Sequence, residues 1–563
     1  MSTKIFDLND YGALMDKAEE LFDKGTYEDA FVLLNRAHTL KPCADTLLLY
    51  AELYYEIDAL DYALQKCFEV KLISGGDMPP DIAGRVYTIM FKIYFFEGRY
   101  DLADRCFQNV KSLEDVDSDF GYDDDEIESI DAFLQYYGDD NGGFSVYDRA
   151  EENAERIIRD AFSRIAADDT AAAVRILKKD LEANGSVRQY NLLMMCYINQ
   201  HRYKSAEILA EQMLKKEKTR LPGVLNMINI GIFKKDNALA DRYTEELKKL
   251  KITGEDDLEK VIETLVLTNR HEAVEEYVLK LLEYRPYDME QLYHYACALF
   301  NGGKKIEARR VYKKIHNIYG DTGRAQFFLR RGDDMNVYYN APMPFEYFGL
   351  LSSEFEKASD ASDAKTLLEL PESRELLYLA LTVDELKKKV LSYLLNFKDD
   401  AAAHEILKRF FLDINGDERV KEIAALGIMA SETPFEFAVV SREACGSFSF
   451  DGRSSPTKSP VLNAAYILLL TRLLFSCDGA VKNAEEYGKY FIAIADRLEK
   501  TDAAEREKFG FPNGIAAAVF FKVNSFKKGD GEKIARLFGI SSSSVRKFLK
   551  LIDGLFAKDM SKS

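Results

Sequence analysis

Four carboxylates in the first third of the chain have the spacing of ligands for a metal ion. Positions 1, 3, 5 and 12 of a twelve-residue segment are occupied by Asp115, Asp117, Asp119 and Glu126, and oxygen atoms at this spacing can converge on one Ca²⁺. Phe120 stands at position 6, where the turn of such a loop needs glycine. We therefore expect a solvated acidic loop rather than a calcium site. A third interpretation is that the loop covers a basic partner or the protein's own basic end.

The charge of the chain reverses at its C-terminal end. The whole chain has 76 Lys and Arg against 95 Asp and Glu, a formal net charge of −19. This balance argues against nucleic-acid or anionic-membrane binding by the surface as a whole. Residues 512–563 carry ten Lys and Arg and four Asp and Glu, a net charge of +6. The residues that are candidates for binding a polyanion therefore lie in this last segment.

Small and apolar residues within 531–550 would position this basic segment. Ala535 permits close helix crossing, Gly539 permits a tight turn, and Val545 and Phe548 can seat a second helix. These offsets resemble the helix-turn-helix of DNA-binding proteins, and residues 512–563 are also similar to a cyclin-like repeat of the general transcription factor TFIIB. The resemblance implies that DNA would be contacted by Ser542, Ser543, Arg546, Lys547 and Lys550. The competing interpretation is a helical pair packed on the rest of the chain, with solvated basic residues.

The sequence lacks the motifs of the common enzyme classes. It contains no GxxxxGK phosphate loop, no HExxH metal motif and no GxSxG nucleophile elbow. Its six His are isolated on predicted helices, where a surface or packing role is more common than catalysis. We expect a protein that is not an enzyme and that holds no cofactor or metal.

The cysteines and the apolar segments indicate the cellular compartment of the protein. Seven Cys are scattered and none is spaced as CxxC, which fits a reducing compartment and gives neither a disulfide framework nor a zinc site. The N-terminus has no secretory signal pattern, and the longest apolar stretch, Ala464–Phe475, is short and contains Arg472. We expect a cytoplasmic protein without a membrane span.

Internal repeats supply the elements that carry these candidates. Gly25, Tyr27, Ala30 and Pro42 have the spacing of a helical hairpin, with a turn, a ring beneath it, a close helix crossing and a helix stop. The crossing residue recurs with steps of 33, 40, 70, 33, 34, 33 and 35, at Ala30, Ala63, Ala103, Ala173, Ala206, Ala240, Ala273 and Ala308. The offsets resemble the tetratricopeptide repeat. We therefore predict eight hairpins within residues 1–330, with an acidic insertion at 111–146.

The resemblance to tetratricopeptide repeats also implies a binding surface. Stacked hairpins of this kind form a superhelix whose first helices line a groove for peptides or partner helices. By this resemblance the groove-facing candidates are Phe22, Tyr55, Lys92, Phe95, Phe96, Asn191, Asn199, Tyr293 and Asn301. The alternative for the aromatic members is a place in the core between repeats.

Beyond residue 330 the hairpin spacing is lost. Residues 331–450 contain two amphipathic helices in which Leu386 and Val420 are 34 residues apart, similar to HEAT-like repeats. Residues 435–450 have the composition of one or two short strands or a packed loop. Residues 461–563 are predicted to form a small basic helical domain. The expected fold is all-α: a tetratricopeptide-like solenoid, a HEAT-like middle and a helical C-terminal domain.

Two functions follow from these observations. The first is a non-catalytic scaffold that binds a peptide or helix of a protein partner in its groove. The second is a nucleic-acid-binding regulator that reads DNA with its C-terminal helix-turn-helix.

Overall fold

The structure is a computed structural model of the 563-residue chain. The residues that it describes are 10–75, 78–113, 129–130, 133–134, 149–166, 169–184, 186–268, 270–320, 366–369, 371–383, 386–429, 435–450, 457–476, 484–524, 526 and 530–560. Every statement below about the presence or absence of a feature concerns these residues.

Sixteen helices form the eight predicted hairpins, and each helix packs against its partner in the pair. The first three hairpins are α1 (Tyr11–Asp23) with α2 (Tyr27–Leu40), α3 (Ala44–Glu56) with α4 (Leu60–Ser74), and α5 (Pro80–Phe96) with α6 (Tyr100–Lys111). The other five are α7 (Arg149–Ala166) with α8 (Thr170–Asn184), α9 (Val187–Asn199) with α10 (Tyr203–Leu214), α11 (Arg220–Lys234) with α12 (Asn237–Leu247), α13 (Glu255–Val266) with α14 (His271–Leu282), and α15 (Met289–Asn301) with α16 (Lys305–Tyr319). The tetratricopeptide-like hairpin repeat is thus confirmed.

Most hairpin turns share one backbone geometry. In the turn of the first hairpin, Gly25 has φ 70°, its N–H bonds to the carbonyl of Phe22, and the next N–H, of Thr26, reaches back to Leu21. This pair of bonds caps a helix C-terminus and needs a left-handed residue. The same pair closes five further turns, where the left-handed residue is Asp58, Gly98, His201, Lys235 or Gly303. The turn geometry is therefore kept even where the residue is not glycine.

The small residues used as repeat marks are the points of closest helix approach. All eight marking alanines are buried. In the sixth hairpin a Cβ added at Gly231 of α11 would stand 2.8 Å from the backbone nitrogen of Ala240 on α12. A larger residue at either position would push the two helices apart, because interiors are close-packed.

The chain divides into two compact units. The first comprises Met1–Asp139, His316–Asp333 and Phe348–Ser563, and the second comprises Asp140–Ile315 and Asp334–Tyr347. Within the first unit, α1 contacts α3 and α3 contacts α5. Within the second unit, α7, α9, α11 and α13 contact one another in succession. In both units the first helices of successive hairpins therefore lie side by side.

The middle of the chain adds helices and the one exception to an all-α fold that the structure describes. The helices are α17 (Thr366–Glu369), α18 (Pro371–Ala380), α19 (Lys387–Asn396), α20 (Ala401–Leu412) and α21 (Glu418–Met429). Strands β1 (Phe435–Val440) and β2 (Cys445–Phe450) pair antiparallel, with Phe435 opposite Phe450 and Val440 opposite Cys445. The two amphipathic helices predicted within residues 331–450 are thus present, and residues 435–450 form two short strands, one of the predicted alternatives.

The loop of this β-hairpin is fastened to the second and third helical hairpins. The Arg442 guanidinium pairs with Asp61 at 2.7 Å and with Glu97, and Asn415 donates to the other oxygen of Asp61 at 2.9 Å. Arg99 pairs with Glu443 in the same loop. These contacts join α4, the end of α5 and the strand loop through charge-assisted hydrogen bonds.

A buried lysine supports the same loop from beneath. Lys421 of α21 is fully buried, and its ammonium donates to the carbonyl oxygens of Val440, at 2.7 Å, and of Asp413. Burial lowers the pKa of Lys421 to about 8, against the opposing effect of Asp413 and Glu418. The two carbonyls it satisfies belong to the end of β1 and to the segment between α20 and α21.

The C-terminal helices surround one buried helix. They are α22 (Pro460–Ser476), α23 (Ala484–Leu498), α24 (Ala503–Glu507), α25 (Pro512–Val523), α26 (Gly531–Leu537) and α27 (Ser542–Met560). Helix α25 contacts α22, α23, α26 and α27, and residues 514–519 on it are all buried. Arg472, the one charge in the apolar α22 stretch, pairs with Glu422 of α21 at 2.6 Å.

The described residues hold neither a membrane span nor a metal cluster. Among them no helix is long and apolar enough to cross a membrane, and no three His, Cys, Asp or Glu side chains are grouped to hold a metal ion. The segment with calcium-ligand spacing, Asp115 to Glu126, lies outside the described residues.

Candidate binding surfaces

The first helices of hairpins one to three expose a mixed surface, here called the acidic-aromatic face. It consists of Glu19, Phe22, Asp23, Glu52, Tyr55, Glu56, Arg85, Lys92, Phe95 and Phe96. Helices α1, α3 and α5 lie side by side, so residues at equivalent repeat positions on them become neighbours. Every one of these side chains is at least partly exposed. The face therefore unites five of the nine residues predicted to bind a partner: Phe22, Tyr55, Lys92, Phe95 and Phe96.

Phe96 is the most exposed large apolar side chain among the described residues, with 79% of its surface accessible. It ends α5, and its neighbour Phe95 lies against the rings of Phe91 and Tyr100. Phe133, from the acidic insertion, contacts Phe95 with ring centroids 5.7 Å apart. Phe95 is therefore partly covered from within the chain, whereas Phe96 is open.

An ion pair crosses the acidic-aromatic face from α3 to α5. The Arg85 guanidinium binds both oxygens of Glu52, at 2.7 and 2.6 Å. Burial raises the pKa of Glu52, the pairing with Arg85 opposes this, and the charges of Glu19 and Glu56 add to the rise. The three glutamates are thus close enough for their charges to interact.

In the second unit, α9 and α11 expose amides, here called the asparagine face: Asn191, Asn199, Asn226 and Asn229, with Met195 and Phe233. The Asn226 side-chain nitrogen donates to Asn191 Oδ1 at 2.7 Å. The Oδ1 atom of Asn229 is buried and has no hydrogen-bond partner among the described residues. The predicted residues Asn191 and Asn199 are both exposed on this face.

The last two predicted groove residues lie on α15. Tyr293 is 2% exposed, and its ring packs at 6.0 Å from that of Tyr312 on α16. Asn301 ends the helix partly exposed, and its Oδ1 atom is buried without a partner among the described residues. Tyr293 therefore occupies the core of its hairpin, which was the alternative for the aromatic candidates, and is not available to a partner in this structure.

The C-terminal candidates form a third surface, here called the basic stripe: Lys533, Arg536, Ser543, Arg546, Lys547 and Lys550, all exposed, with Ser542 partly exposed. Helices α26 and α27 meet at Gly539, whose φ is 61°. Ala535, Val545 and Phe548 are buried, and Phe548 lies directly over Gly514 of α25. None of the basic residues in the stripe has an ion pair among the described residues, whereas Lys522 pairs with Asp553 at 2.5 Å.

Several residues of these surfaces were missed as candidates in the sequence. Arg85 lies 33 residues after Glu52 and Asn226 lies 35 after Asn191. The separation of Asn191 and Asn226 is close to one repeat, so the period was a signal that could have paired them. The step between the second and third hairpins is 40, so the period gave no such signal for Glu52 and Arg85. The contact of Arg442 with Asp61 spans 381 residues and has no such signal.

Comparisons with known proteins give only distant likenesses. No protein-family model matches the sequence, and no curated protein matches it. Among solved structures the chain is similar to yeast Tom70, with 13% identity over 87% of this chain and 96% of that one and a TM-score of 0.25. It is also similar to the P58(IPK) TPR domain, with 14% identity over 71% and 98% and a TM-score of 0.20. Naa15/Naa10 bound to HypK-THB gives 14% identity over 97% and 80% and a TM-score of 0.25.

At these TM-scores the likenesses to solved structures carry no argument about the class of this chain. The class is defined by the chain itself, through its eight pairs of helices, its recurring turn geometry and its buried marking alanines. The chain has a tetratricopeptide-like fold of stacked helical hairpins, followed by further helices in its C-terminal part.

Proposed function

We propose that the protein is a non-catalytic scaffold, acting in the cytoplasm, that binds a peptide or helix of a protein partner on the first helices of its repeats. The exposure of Phe96, on the same row of first helices as the partly exposed Phe22, Tyr55 and Phe95, carries this proposal. A highly exposed large apolar side chain among polar residues is typical of interaction sites, and aromatic side chains often contribute the largest share of binding energy at interfaces. The asparagine face offers a second contact region, whose amides can both donate to and accept from a peptide backbone.

A selection from displayed peptides tests this proposal. The full chain is used as the target, and the selected clones are counter-screened against Phe96→Ala and Ile306→Ala. Ile306 is also highly exposed, at 70%, but lies on α16, outside the acidic-aromatic face, so it is the matched control. We expect clones whose affinity falls by about tenfold with Phe96→Ala and remains unchanged with Ile306→Ala. Clones that are insensitive to Phe96→Ala and to changes on the asparagine face would contradict the proposal.

One observation favours a second function, the binding of DNA by the C-terminal domain. From Lys533 to Lys550 the chain has five basic and no acidic residues, and the five basic side chains are exposed. Residues 543, 546, 547 and 550 recur at helical spacing on α27, opposite the buried Val545 and Phe548. An exposed α-helix of this kind fits the width of a DNA major groove, whereas the RNA major groove is too narrow. Strong salt dependence of binding is its expected signature.

A further inference from the structure

The acidic-aromatic face also indicates which chemical class of partner it binds, and this inference rests on the proposed scaffold function. Glu19, Asp23 and Glu56 are exposed, and none has an ion pair among the described residues. The nearby cations Lys17, on α1, and Lys24, directly after α1, both pair with Glu20. Glu19, Asp23 and Glu56 are therefore left for a partner's cations.

The face already binds one guanidinium within the chain. Arg85 spans from α5 to Glu52 on α3 with two short hydrogen bonds, in the paired geometry that carboxylates and guanidinium groups prefer. Glu56 lies one helical turn beyond Glu52 on α3, and Glu19 lies on the neighbouring helix α1. Cations from a partner can therefore bind Glu19 and Glu56 as Arg85 binds Glu52.

The aromatic side chains next to these carboxylates suit the same kind of partner. Phe22 and Tyr55 follow Glu19 and Glu52 by three residues on their helices, so each ring lies beside a carboxylate. Lys and Arg have long apolar stems that pack on rings while the charged end stays in water. The open ring of Phe96 offers a place for an apolar side chain of the same segment.

We infer that the segment bound at the acidic-aromatic face is a basic amphipathic one, with Lys or Arg on one side and apolar residues on the other. Complementary charge guides the encounter and excludes acidic partners. Burial of apolar side chains against Phe96, Phe22 and Tyr55 supplies most of the affinity. Acidic and uncharged segments with the same apolar residues would then bind more weakly.

Three synthetic peptides separate charge from apolar contact. Each is an amphipathic helix of about 18 residues with one common apolar side, and its polar side carries Lys, Gln or Glu. Fluorescence anisotropy at low ionic strength measures their binding to the full chain, to Glu19→Gln/Glu56→Gln and to the control Glu211→Gln/Glu283→Gln. The control removes two exposed carboxylates from the second unit.

We expect the Lys peptide to bind about tenfold more tightly than the Glu peptide. The Glu19→Gln/Glu56→Gln variant should weaken the Lys peptide about fivefold, and the control should change it less than twofold. Equal binding of the three peptides, no effect of Glu19→Gln/Glu56→Gln, or no binding of the Lys peptide would overturn the inference. If the Gln or Glu peptide binds best and loses affinity with Phe96→Ala, the charge inference is wrong while the scaffold function stands.

Discussion

Tyr94 donates its phenolic hydrogen to the backbone carbonyl of Arg442 at 2.7 Å, across 348 residues of sequence. The tyrosine belongs to the core of the third helical hairpin, where burial raises its pKa. The carbonyl belongs to the loop between β1 and β2. This bond, with the pairing of Arg442 to Asp61 and Glu97, makes the strand loop a structural part of the N-terminal repeats.

Loss of the Arg442 side chain should loosen this loop. Arg442→Ala leaves Asp61 and Glu97 without their shared cation, and breaking such a partly buried, charge-assisted contact costs about 1–3 kcal/mol. We expect faster amide hydrogen exchange in residues 441–444 and in the turns at 58 and 98, measured by mass spectrometry. Arg105→Ala, which removes an exposed arginine of α6, is the control. Unchanged exchange at all three places would show that the ion pairs do not hold the loop.

Replacing Lys421 should change how stability depends on pH. The folded-state pKa of Lys421 is lowered to about 8, so between about pH 8 and 9.5 the unfolded chain binds more protons and stability rises with pH. Lys421→Met removes this contribution. The thermal unfolding midpoint of the natural chain should rise relative to that of Lys421→Met across this window, by an amount equivalent to about 1.5 kcal/mol. A constant difference would mean that Lys421 keeps an ordinary pKa.

The turn residues should respond to substitution according to φ. Gly303 has φ 86° with open space where a Cβ would stand, so Gly303→Ala tests the left-handed backbone alone. Gly303→Ala should lower the free energy of unfolding by about 1 kcal/mol. Lys235→Gly, at a residue with φ 59°, should raise it by a similar amount. Gly554→Ala is the control because Gly554 lies inside α27, without a left-handed φ and with open surroundings, so alanine there should stabilise the helix. Differential scanning calorimetry of the full chain provides the measurement, and equal effects of the two Gly→Ala changes would refute the argument.

Removal of charge from the basic stripe should abolish DNA binding if the second proposed function holds. The variant Arg546→Gln/Lys547→Gln/Lys550→Gln changes exposed residues only, so its unfolding midpoint should stay the same. Anisotropy with a random-sequence DNA duplex should show at least a roughly tenfold loss of affinity, because each lost phosphate contact removes the free energy of counterion release. The salt dependence of the remaining binding should also be smaller. The matched control is Lys204→Gln/Lys215→Gln/Lys216→Gln, three exposed lysines of the second unit. No binding by the natural chain at low salt would rule the function out.

The repeat architecture was predictable because it depends on local signals. The spacing of Ala30, Ala63 and the later marks predicted every hairpin, and those alanines are buried where helices cross. Lys235 takes the left-handed turn position without the expected glycine, since the flanking helices and their capping bonds impose that conformation. The period thus predicted the turn even where the residue type did not.

The candidate binding surfaces were less predictable because exposure depends on neighbours that are distant in sequence. Tyr293 and Phe96 lie on first helices and were both predicted to face the groove, yet Tyr293 packs against Tyr312 while Phe96 is open. The strand loop and its contacts with Asp61, Glu97 and Tyr94 depend on pairings across 345 residues or more, which no local pattern encodes. The position of a residue in the repeat indicated its face, and tertiary packing decided its accessibility.

Photo-crosslinking of a selected peptide to the full chain tests the central proposal most directly. The peptide carries one photo-reactive leucine on its apolar side, and the crosslinked residues are located by mass spectrometry. The proposal predicts crosslinks within α1, α3 and α5, concentrated at Phe22, Tyr55 and Phe96 and lost with Phe96→Ala. Crosslinks confined to α22–α27, or crosslinks to α1, α3 and α5 that are unaffected by Phe96→Ala, would contradict it.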